Sequence, residues 1–438
     1  MKIAHLSAWY LPDTVGGTEI YVASLAAEQR KLGATPMVFS PEQNSGAGRR
    51  DHNGIAVHRD SGLEDFRKAL GAFSPDIVHA HTWTSGSGLA QIRVAAELGF
   101  PVVFTFHNFG PICATGRLMR SDRRRCDGRI RKFACSACYL RQGGRGAIEA
   151  ALLAAYAGLG SAVFKNADSS NRLKTLTTLQ SSVSQKRRDL EDLTRIASRL
   201  IAPAEFVREA LTENGVPLQR IVVCRQGVRS ILKAARIPHS TGVLRIGFVG
   251  RIDSLKGVDV IVDALRHLPA EMPVTLELYG PAGTPNRSQP HPEIFDRWIR
   301  GRISEDPRIR LFGPLPPEET LDRMAEFDVL AVPSRWQETG PLVAMEALAL
   351  GVPVLASSLG GLPETVRDDL DGRIIGTLDP SDWAAVIREI AEHPQTLVRW
   401  RNEPRASRTA EDVARDMAGV YENILDEHAT PAGRGGVS

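Results

Sequence analysis

The sequence has little cysteine, almost no excess charge and no recognisable secretory signal. Five cysteines in 438 residues are too few for the disulfide framework of a small secreted protein and suit a reducing compartment. The net charge of +3 is too small to indicate nucleic-acid or membrane binding by itself. The first residues, MKIAHLSAWY, lack the basic segment and long apolar core of a signal peptide. We therefore expect a cytoplasmic protein.

A chain of 438 residues is longer than one hydrophobic core usually serves, so two domains are expected. Residues 2–33 and 244–267 share one plan, an apolar strand followed by a Gly-containing loop and a helix. In the second copy we predict a strand over 244–249 and a helix from about Val258 to His267. Further short apolar strands alternate with helices, including PDIVHAH, PVVFTFH, VTLELYG, IRLFG, DVLAVPS and VPVLAS. This pattern predicts an α/β protein with two doubly wound parallel sheets, divided near residues 232–242.

The stretch PSRWQETGPLVAMEALALGVPVLAS, residues 333–357, carries two glutamates where such folds bind ligands. DVLAVPS predicts a strand and RWQETG the loop at its carboxyl end. Pro341 fits the first position of the next helix, and Gly351 fits the position just past its end. Glu338 would lie in the loop, whereas Glu346 would lie in the helix and could accept two hydrogen bonds from a ribose diol. The same pair could also be ordinary charges at a solvated helix start, where acidic residues are favoured.

Two other loops carry candidate binding residues. In VGRIDSLKG, Arg251 and Lys256 flank a turn before a helix, and two cations beside a helix N-terminus suit a diphosphate. Exposed loop charges are the simpler alternative. In the matching loop of the first half, Gly16 and Gly17 would allow close approach of a ligand to the backbone, or would simply form a turn.

Taken together, these segments resemble glycosyltransferase family 4, the group 1 glycosyl transferases, which are retaining enzymes of GT-B architecture. The matching segments of the second half are GRIDSLKGVD, LFGPLPPEE, the two-glutamate stretch and GGLPETV. Those of the first half are GGTEIYVASLAAEQRKLG, PDIVHAHTW, VVFTFHN and LIAPAEFVREALTENGVP. The resemblance covers nearly the whole chain but is poor over residues 111–195.

The resemblance implies two Rossmann-like domains that face a cleft. The N-terminal, acceptor-side domain would span residues 1–235 and the C-terminal donor domain residues 240–407. A helix at 408–427 would cross back to the N-terminal domain. The composition of residues 428–438 is that of a disordered tail, and a Cys-rich basic insert lies at about 111–145.

The implied function is retaining transfer of a sugar from a nucleotide-diphospho-sugar to a glycan, lipid-linked or small-molecule acceptor, without a catalytic metal. Arg251 and Lys256 would bind the donor diphosphate and stabilise its charge, and Glu346 would hold the ribose hydroxyls. Glu338 would lie near the donor sugar, and the resemblance implies that it is catalytic together with Arg251, Lys256 and His107. Backbone amides around Gly340 and Leu342 would hold that sugar's hydroxyls.

The first domain would contribute Gly16 and Gly17, which approach the donor phosphates or sugar, and His107, which contacts the transferred sugar. A lone histidine at a strand end could also be a core residue. The chain departs from the family at Pro341 and Thr339, where glycines are frequent. It also departs in CRQGVRS, with Gln226 and Arg229 where an Asn-Gly-Val-Asp turn is frequent.

Two other functions stay open, a nucleotide-sugar epimerase of the same architecture and a noncatalytic sugar-nucleotide-binding protein. A dinucleotide oxidoreductase is disfavoured because the nearest fingerprint, GSGLAQ at 86–91, ends in Gln91 rather than glycine. No Asp-x-Asp element lies in a plausible donor loop. The acidic run RDDLDG, residues 367–372, is typical of a surface turn.

The insert carries the most individual feature of the sequence. Cys113, Cys126, Cys135 and Cys138 follow the spacing C-x12-C-x8-C-x2-C. The closing Cys-x-x-Cys suits a structural zinc, although the first spacing is wider than usual. Free thiols or a redox pair are the alternatives.

The insert is also basic, with ten Lys or Arg and two Asp from Arg117 to Arg145. An apolar stretch, residues 147–164 with Glu149 as its one charge, follows. This combination suits peripheral contact with an anionic membrane or a lipid-diphosphate acceptor, but equally a buried helix beside a solvated loop. With few aromatics for base stacking, we expect no nucleic-acid partner.

Overall fold

The computed structural model describes residues 1–43, 46–84, 87–121, 124–160, 171–229, 242–283, 292–403 and 407–429. The predicted link near 232–242, apart from its last residue, lies outside the described residues, as do residues 430–438. The strands are β1 Lys2–Leu6, β2 Thr35–Pro41, β3 Gly48–His52, β4 Ile55–Asp60, β5 Ile77–Ala80, β6 Val102–Thr105, β7 Arg199–Ala202, β8 Ile221–Val223, β9 Leu244–Val249, β10 Val274–Tyr279, β11 Ile309–Gly313, β12 Val329–Val332, β13 Val354–Ser357 and β14 Gly372–Ile375. The helices are α1 Gly17–Lys31, α2 Leu63–Phe73, α3 Leu89–Glu97, α4 Lys132–Gln142, α5 Ala147–Gly160, α6 Asn171–Ile196, α7 Glu205–Thr212, α8 Val258–Arg266, α9 Pro292–Ser304, α10 Pro317–Ala325, α11 Leu342–Ala349, α12 Leu362–Thr365, α13 Pro380–Glu392, α14 Gln395–Asn402 and α15 Ala410–Ala429.

The chain forms two compact units. The first comprises Met1–Arg117, Cys126–Arg229 and Arg408–Ser438. The second comprises Leu118–Arg125 and Ser230–Ser407.

The sheet of the first unit has eight strands in the order β3-β4-β2-β1-β5-β6-β7-β8. Neighbouring strands run parallel, except that the edge strand β3 is antiparallel to β4. The central strand β1 pairs on both sides, and Ile3 lies opposite Pro36 and Ile77. The predicted strands β5 and β6 are buried strands of this sheet, and β7 is buried beside them. This unit is therefore the expected doubly wound fold with one added antiparallel edge strand.

The last helix, α15, lies in the first unit and packs against α1. Its buried side chains, among them Met417, Tyr421 and Ile424, join Val22 and Leu25 of α1 in one hydrophobic core. His428 and Ala429, expected in a disordered tail, are the last residues of α15. The amphipathic pattern therefore continues the helix two residues further than predicted.

The second unit contains a six-stranded parallel sheet in the order β11-β10-β9-β12-β13-β14. Strand β9 has the predicted bounds, and α8 ends at Arg266, with His267 as its C-cap. The predicted strands β10 to β13 are present. The acidic run 367–372 forms a turn before β14, in which Asp371 is buried and binds the backbone N–H and the guanidinium of Arg367. The loops after β9 and β12 both leave the carboxyl edge of this sheet, where such folds bind ligands.

Candidate functional site

In the loop between β9 and α8, one buried aspartate binds the guanidinium of Arg251 and the backbone N–H of Lys256. Asp253 is fully buried and accepts a hydrogen bond from the backbone N–H of Lys256 at 2.9 Å. The guanidinium Nε of Arg251 lies 3.1 Å from the other carboxylate oxygen, as an ion pair, and the Arg251 side chain is 43% exposed. Arg251 is thus exposed at the surface, in the loop that leads into α8.

The loop ends at Gly257, which has the left-handed φ of 69°. A Cβ at Gly257 would lie 1.9 Å from the carbonyl oxygen of Pro333, far inside van der Waals contact. Only glycine allows this approach. The loop after β9 and the loop after β12 are therefore packed backbone to backbone.

Glu338 binds three donors at one carboxylate oxygen. Its Oε1 accepts hydrogen bonds from Lys256 Nζ at 2.7 Å, Ser334 Oγ at 2.7 Å and Trp336 Nε1 at 2.8 Å. Glu338 is 6% exposed, and the Lys256 ammonium also lies 5.6 Å from the centre of the Trp336 ring. We call these four side chains the Glu338 cluster.

The Glu338 cluster keeps a buried carboxylate ionised. Burial alone raises the pKa of Glu338, but the charge of Lys256 and the three hydrogen bonds outweigh it and lower the pKa. A carboxylate held in this state at neutral pH is a poor proton donor. The geometry therefore suits positioning of Lys256 rather than acid catalysis by Glu338.

The backbone at Glu338 is also fixed. Its carbonyl oxygen accepts a hydrogen bond from the N–H of Gly361 at 2.7 Å. Gly360, with φ of 60°, lies so close that a Cβ there would be 2.3 Å from the Glu338 nitrogen. The segment GGLPETV thus supports the two-glutamate stretch directly.

Helix α11 starts one residue later than predicted. Pro341 is the N-cap, with φ of −77° and ψ of 73°, and the first helical residue is Leu342. The Leu342 N–H donates to the carbonyl of Gly340 at 2.9 Å, so this amide already has a partner within the turn. Glu346 lies partly exposed in the second turn of α11, and Gly351 follows the helix with φ of 75° as predicted.

In the first unit, Gly16 is the N-cap of α1 and Gly17 its first residue. Gly16 is extended, with φ of −157°. His107 lies two residues beyond β6 and is 8% exposed. The structure thus brings Lys256 and Glu338 into contact in the second unit, with Arg251 in the same loop as Lys256. Gly16, Gly17 and His107 lie in the first unit.

Buried histidines near His107 were missed by the sequence analysis. Among the described residues, three metal-ligating atoms lie within 4.8 Å of one another only in His5, His79 and His81. Each ring nitrogen of these histidines has a hydrogen-bond partner, so the group is built as a hydrogen-bonded network. The alternation of His79 and His81 in the strand sequence IVHAH was the available signal.

Ser334 and Trp336 were also not predicted from the sequence as site residues. Both lie in the two-glutamate stretch, and both have side chains that donate hydrogen bonds to a carboxylate. Their proximity in sequence to Glu338 was the signal, but which side chain turns inward depends on the loop conformation.

No disulfide joins the four cysteines of the insert, all of which lie in the described part of the chain. Cys113 and Cys135 lie close enough to Cys126 to raise the pKa of its thiol, and Cys113 and Cys138 act in the same way on Cys135, so the four lie in one neighbourhood. Burial raises the pKa of Cys126 to about 11 and also raises that of Cys135. Within the described part of the chain, however, no three of their sulfur atoms reach the 4.8 Å spacing that the histidines show.

Two family models match the chain in separate segments. The model described as "Glycosyl transferases group 1" matches residues 244–393. The model described as "Glycosyl transferase 4-like domain" matches residues 16–147. Together they span 282 of the 438 residues (150 plus 132).

The chain belongs to the group 1 glycosyl transferases. The first model begins at β9 and includes the Glu338 cluster, Arg251 and Glu346. The second includes Gly16, Gly17 and His107.

Relatives within this glycosyltransferase family include two bacterial D-inositol 3-phosphate glycosyltransferases. That of Corynebacterium kroppenstedtii is 32% identical over 187 residues, which cover 41% of this chain and 40% of the relative. That of Streptosporangium roseum is 29% identical over 257 residues, which cover 55% of this chain and 56% of the relative. The chain thus spans about half the length, or less, of the curated relatives it matches.

Solved structures of glycosyltransferases share the fold. A sucrose-phosphate synthase from Thermosynechococcus elongatus superposes with a TM-score of 0.66 at 17% identity, covering 97% of this chain and 99% of that one. Anabaena HepE in complex with UDP-glucose gives a TM-score of 0.60 at 16% identity, covering 98% of this chain and 99% of that one. The predicted GT-B class, with two Rossmann-like units, is confirmed.

Proposed function

We propose that this protein is a retaining glycosyltransferase that moves a sugar from a nucleotide-diphospho-sugar to a glycan, lipid-linked or small-molecule acceptor. The observation that carries the proposal is the Glu338 cluster, in which a lysine after β9 is held by a carboxylate after β12. The same carboxyl edge presents the exposed Arg251 and the start of α8. Two cations and a helix N-terminus suit a diphosphate.

The chemistry of this reaction explains why those cations matter. As the bond between sugar and diphosphate breaks, negative charge grows on the departing phosphate oxygen. Lys256 would stabilise that charge without having to move, because Glu338 already fixes its ammonium. Arg251 would add a second positive charge from the loop that Asp253 holds. Glu346 would accept hydrogen bonds from the two ribose hydroxyls.

The donor class is supported by a structural neighbour. HepE has been crystallised with UDP, with UDP and glucose, and with UDP-glucose. A UDP-sugar is therefore the first donor to test for this chain. The relatives named D-inositol 3-phosphate glycosyltransferase make a polyol phosphate a suitable first acceptor, beside glycan and lipid-linked acceptors.

The proposal is tested by incubating the full chain with radiolabelled UDP-, GDP- and ADP-sugars and an acceptor panel. We expect labelled acceptor and released nucleoside diphosphate. Isomerised donor without acceptor would indicate the epimerase. Binding without any turnover would indicate the noncatalytic binding protein, and either result would overturn the proposal.

We further propose peripheral contact between α5 and an anionic membrane. Small residues on α5, Ala150 and Ala154, are fully buried, whereas Ile148, Leu152 and Tyr156 are 78%, 66% and 47% exposed. These three large side chains recur every four residues and so share one helix face. No described helix combines the length and apolar content needed to cross a membrane, so the contact would lie at the lipid surface.

The charge beside this face favours lipid as the partner. Arg129, Lys132, Arg141 and Arg145 are exposed in the same insert, and basic residues next to an apolar face suit an anionic headgroup layer. Flotation at low salt should recover the protein with phosphatidylglycerol vesicles more than with phosphatidylcholine vesicles. Leu152→Glu should abolish the difference, and Leu218→Glu, at another exposed apolar position, should not. Equal recovery with both vesicles would contradict the proposal.

A structural zinc in the insert stays a proposal. Its support is the shared neighbourhood of the four thiols and the N–H groups of Gly128 and Arg131, which bond to the sulfurs of Cys126 and Cys135. Zinc would displace the thiol protons and draw the four sulfur atoms together. Elemental analysis of protein purified without chelator should find one zinc per chain, and protein without zinc would contradict the proposal.

A further inference from the structure

A hydrogen-bonded chain runs through five buried side chains of the first unit. Gln29 Oε1 lies 2.7 Å from His5 Nε2, and His5 Nδ1 lies 3.0 Å from His81 Nε2. His81 Nδ1 lies 3.1 Å from His107 Nε2, and His107 Nδ1 lies 3.1 Å from Gln226 Nε2. None of the five residues is more than 8% exposed. We call them the histidine chain.

The two glutamines give the histidine chain one direction. A neutral imidazole has one N–H donor and one acceptor nitrogen, so the polarity of one bond fixes the next. The amide nitrogen of Gln226 can only donate, which makes His107 Nδ1 an acceptor and places the His107 proton on Nε2. His81 Nδ1 then accepts from His107, so the His81 proton lies on Nε2. In the same way His5 Nδ1 accepts from His81, and the His5 proton lies on Nε2. The chain then ends at the carbonyl oxygen of Gln29, which can only accept.

The orientation of the Gln226 amide agrees with this direction. Its Oε1 is buried and has no hydrogen-bond partner among the described residues. With the amide turned over, the NH₂ group would be buried without a partner instead. A buried carbonyl oxygen without a partner is tolerated better than buried N–H donors without one. The observed orientation of the Gln226 amide therefore costs less free energy than the reversed one.

The opposite end is fixed by a second contact. Gln29 Nε2 donates to the hydroxyl of Tyr421 at 3.4 Å, which leaves its Oε1 to face His5. Tyr421 in turn lies 2.6 Å from His79 Nδ1. The histidine chain is also uncharged at neutral pH, because burial lowers the pKa of His5 to about 4 and that of His107 to about 3.

We propose that Gln226 and Gln29 are positioning residues that hold His107 in a single neutral tautomer, with its proton on Nε2. This deepens the proposed function, because His107 is the side chain that the family resemblance assigns to the transferred sugar. Because both ring nitrogens of His107 are hydrogen-bonded within the protein, its side chain is a fixed, uncharged contact and not a general base.

The test is nitrogen NMR of the full chain with ring-¹⁵N-labelled histidine, without substrate. We expect the signals of His5, His81 and His107, assigned with single His→Gln variants, to report the neutral Nε2–H tautomer from pH 8 down to pH 5.5. The measurement needs no transfer activity. Its result is therefore separate from success or failure of the proposed function.

A variant pair tests the role of Gln226. Gln226→Glu replaces the donor with an acceptor, so His107 should take up a second proton and be detectably cationic at pH 6. Gln180→Glu, at a buried glutamine outside the histidine chain, should leave His107 neutral. The proposal is overturned if wild-type His107 is Nδ1–H or charged at pH 7, or if Gln226→Glu leaves its signals unchanged. Should Gln226→Glu fail to fold, the wild-type spectrum alone decides.

Discussion

At the scale of single residues, the chemistry of the second unit depends on Lys256. Its side chain is only 24% exposed, and the hydrogen bond of its ammonium to Glu338 and the contact with the Trp336 ring hold it in one position. A charge that is fixed before the reaction needs no reorganisation as the leaving group develops its own charge. Arg251, which is more exposed, provides charge with less constraint.

Lys256→Ala should reduce transfer by about 10²–10³-fold, the usual effect of removing one charge-stabilising donor. The variant also leaves Glu338 buried without its cation, which costs stability. Initial rates should therefore be measured well below the unfolding temperature of the variant. Lys68→Ala, at a side chain that is 75% exposed, is the matched control and should keep full activity. A Lys256→Ala rate within threefold of wild type would refute the role of this lysine.

The sequence predicted that Glu338 and Glu346 have separate tasks, because a helix start lies between them. It could not predict that Glu338 binds Lys256, since two loops 82 residues apart meet only once the sheet has formed. The roles assigned to Gly340 and Leu342 stay predictions. The Leu342 amide bonds within the turn and would have to exchange that partner for a sugar hydroxyl.

At the scale of secondary structure elements, the loop after β9 is shaped by glycine. Gly257 combines a left-handed conformation with a backbone contact to Pro333, and both features exclude a side chain. This packing joins the ends of β9 and β12 and so fixes where Lys256 can reach.

Gly257→Ala should destabilise the second unit by at least about 2 kcal/mol, from left-handed strain plus the clash. Gly301→Ala is the control, because Gly301 lies exposed in α9 and a Cβ there meets nothing within 4 Å. It should stabilise by about 0.5–1 kcal/mol. Chemical denaturation of both variants measures the difference. Equal stability for the two would contradict the packing described for the loops.

Elements with a plain apolar pattern were predicted well, and elements with a polar pattern were not. Strand β9, LRIGFV, has nearly continuous apolar residues and was found with its bounds. Strand β3, GRRDH, has no large apolar residue and is mostly exposed. It is a strand because it pairs with β4, which the local sequence does not indicate. Likewise, nothing in the local sequence indicates that Leu118–Arg125 belongs to the second unit, where its Leu118 carbonyl accepts a hydrogen bond from Gln337.

At the scale of the whole molecule, the histidine chain makes stability depend on pH. His5 has its folded pKa lowered from 6.5 to about 4, chiefly by burial. The unfolded chain therefore binds more protons than the folded chain between these pH values, and stability falls as the pH falls through this window. His79, His81 and His107 have pKa values lowered in the same direction.

Between pH 7 and pH 5, His5 alone should remove about 2 kcal/mol of unfolding free energy. Burial raises the pKa of Asp60 to about 6 and also raises those of Glu19 and Asp263. These three carboxyl groups act in the opposite direction to the four histidines and make the net loss of stability smaller. Denaturation at several pH values measures the slope. His5→Gln should make it shallower, and His393→Gln, at an exposed position, should leave it unchanged. A slope of zero or of opposite sign would refute the neutral histidine chain.

The two-unit plan of the molecule was predicted from the repeated strand–loop–helix order, because parallel sheets require it. The histidine chain could not be predicted, since its members come from positions as far apart as His5 and Gln226 and meet only in the assembled sheet.

The central claim, that the second unit binds a nucleoside diphosphate at the carboxyl edge of its sheet, is tested most directly by isothermal titration calorimetry. UDP, GDP and ADP should each be titrated into the wild type and into the variants Glu346→Ala and Arg251→Ala. We predict that at least one nucleotide binds, that Glu346→Ala weakens it about tenfold or more, and that Arg251→Ala weakens it and reduces its salt dependence. Binding by none of the three nucleotides, or equal affinity in wild type and both variants, would contradict the account.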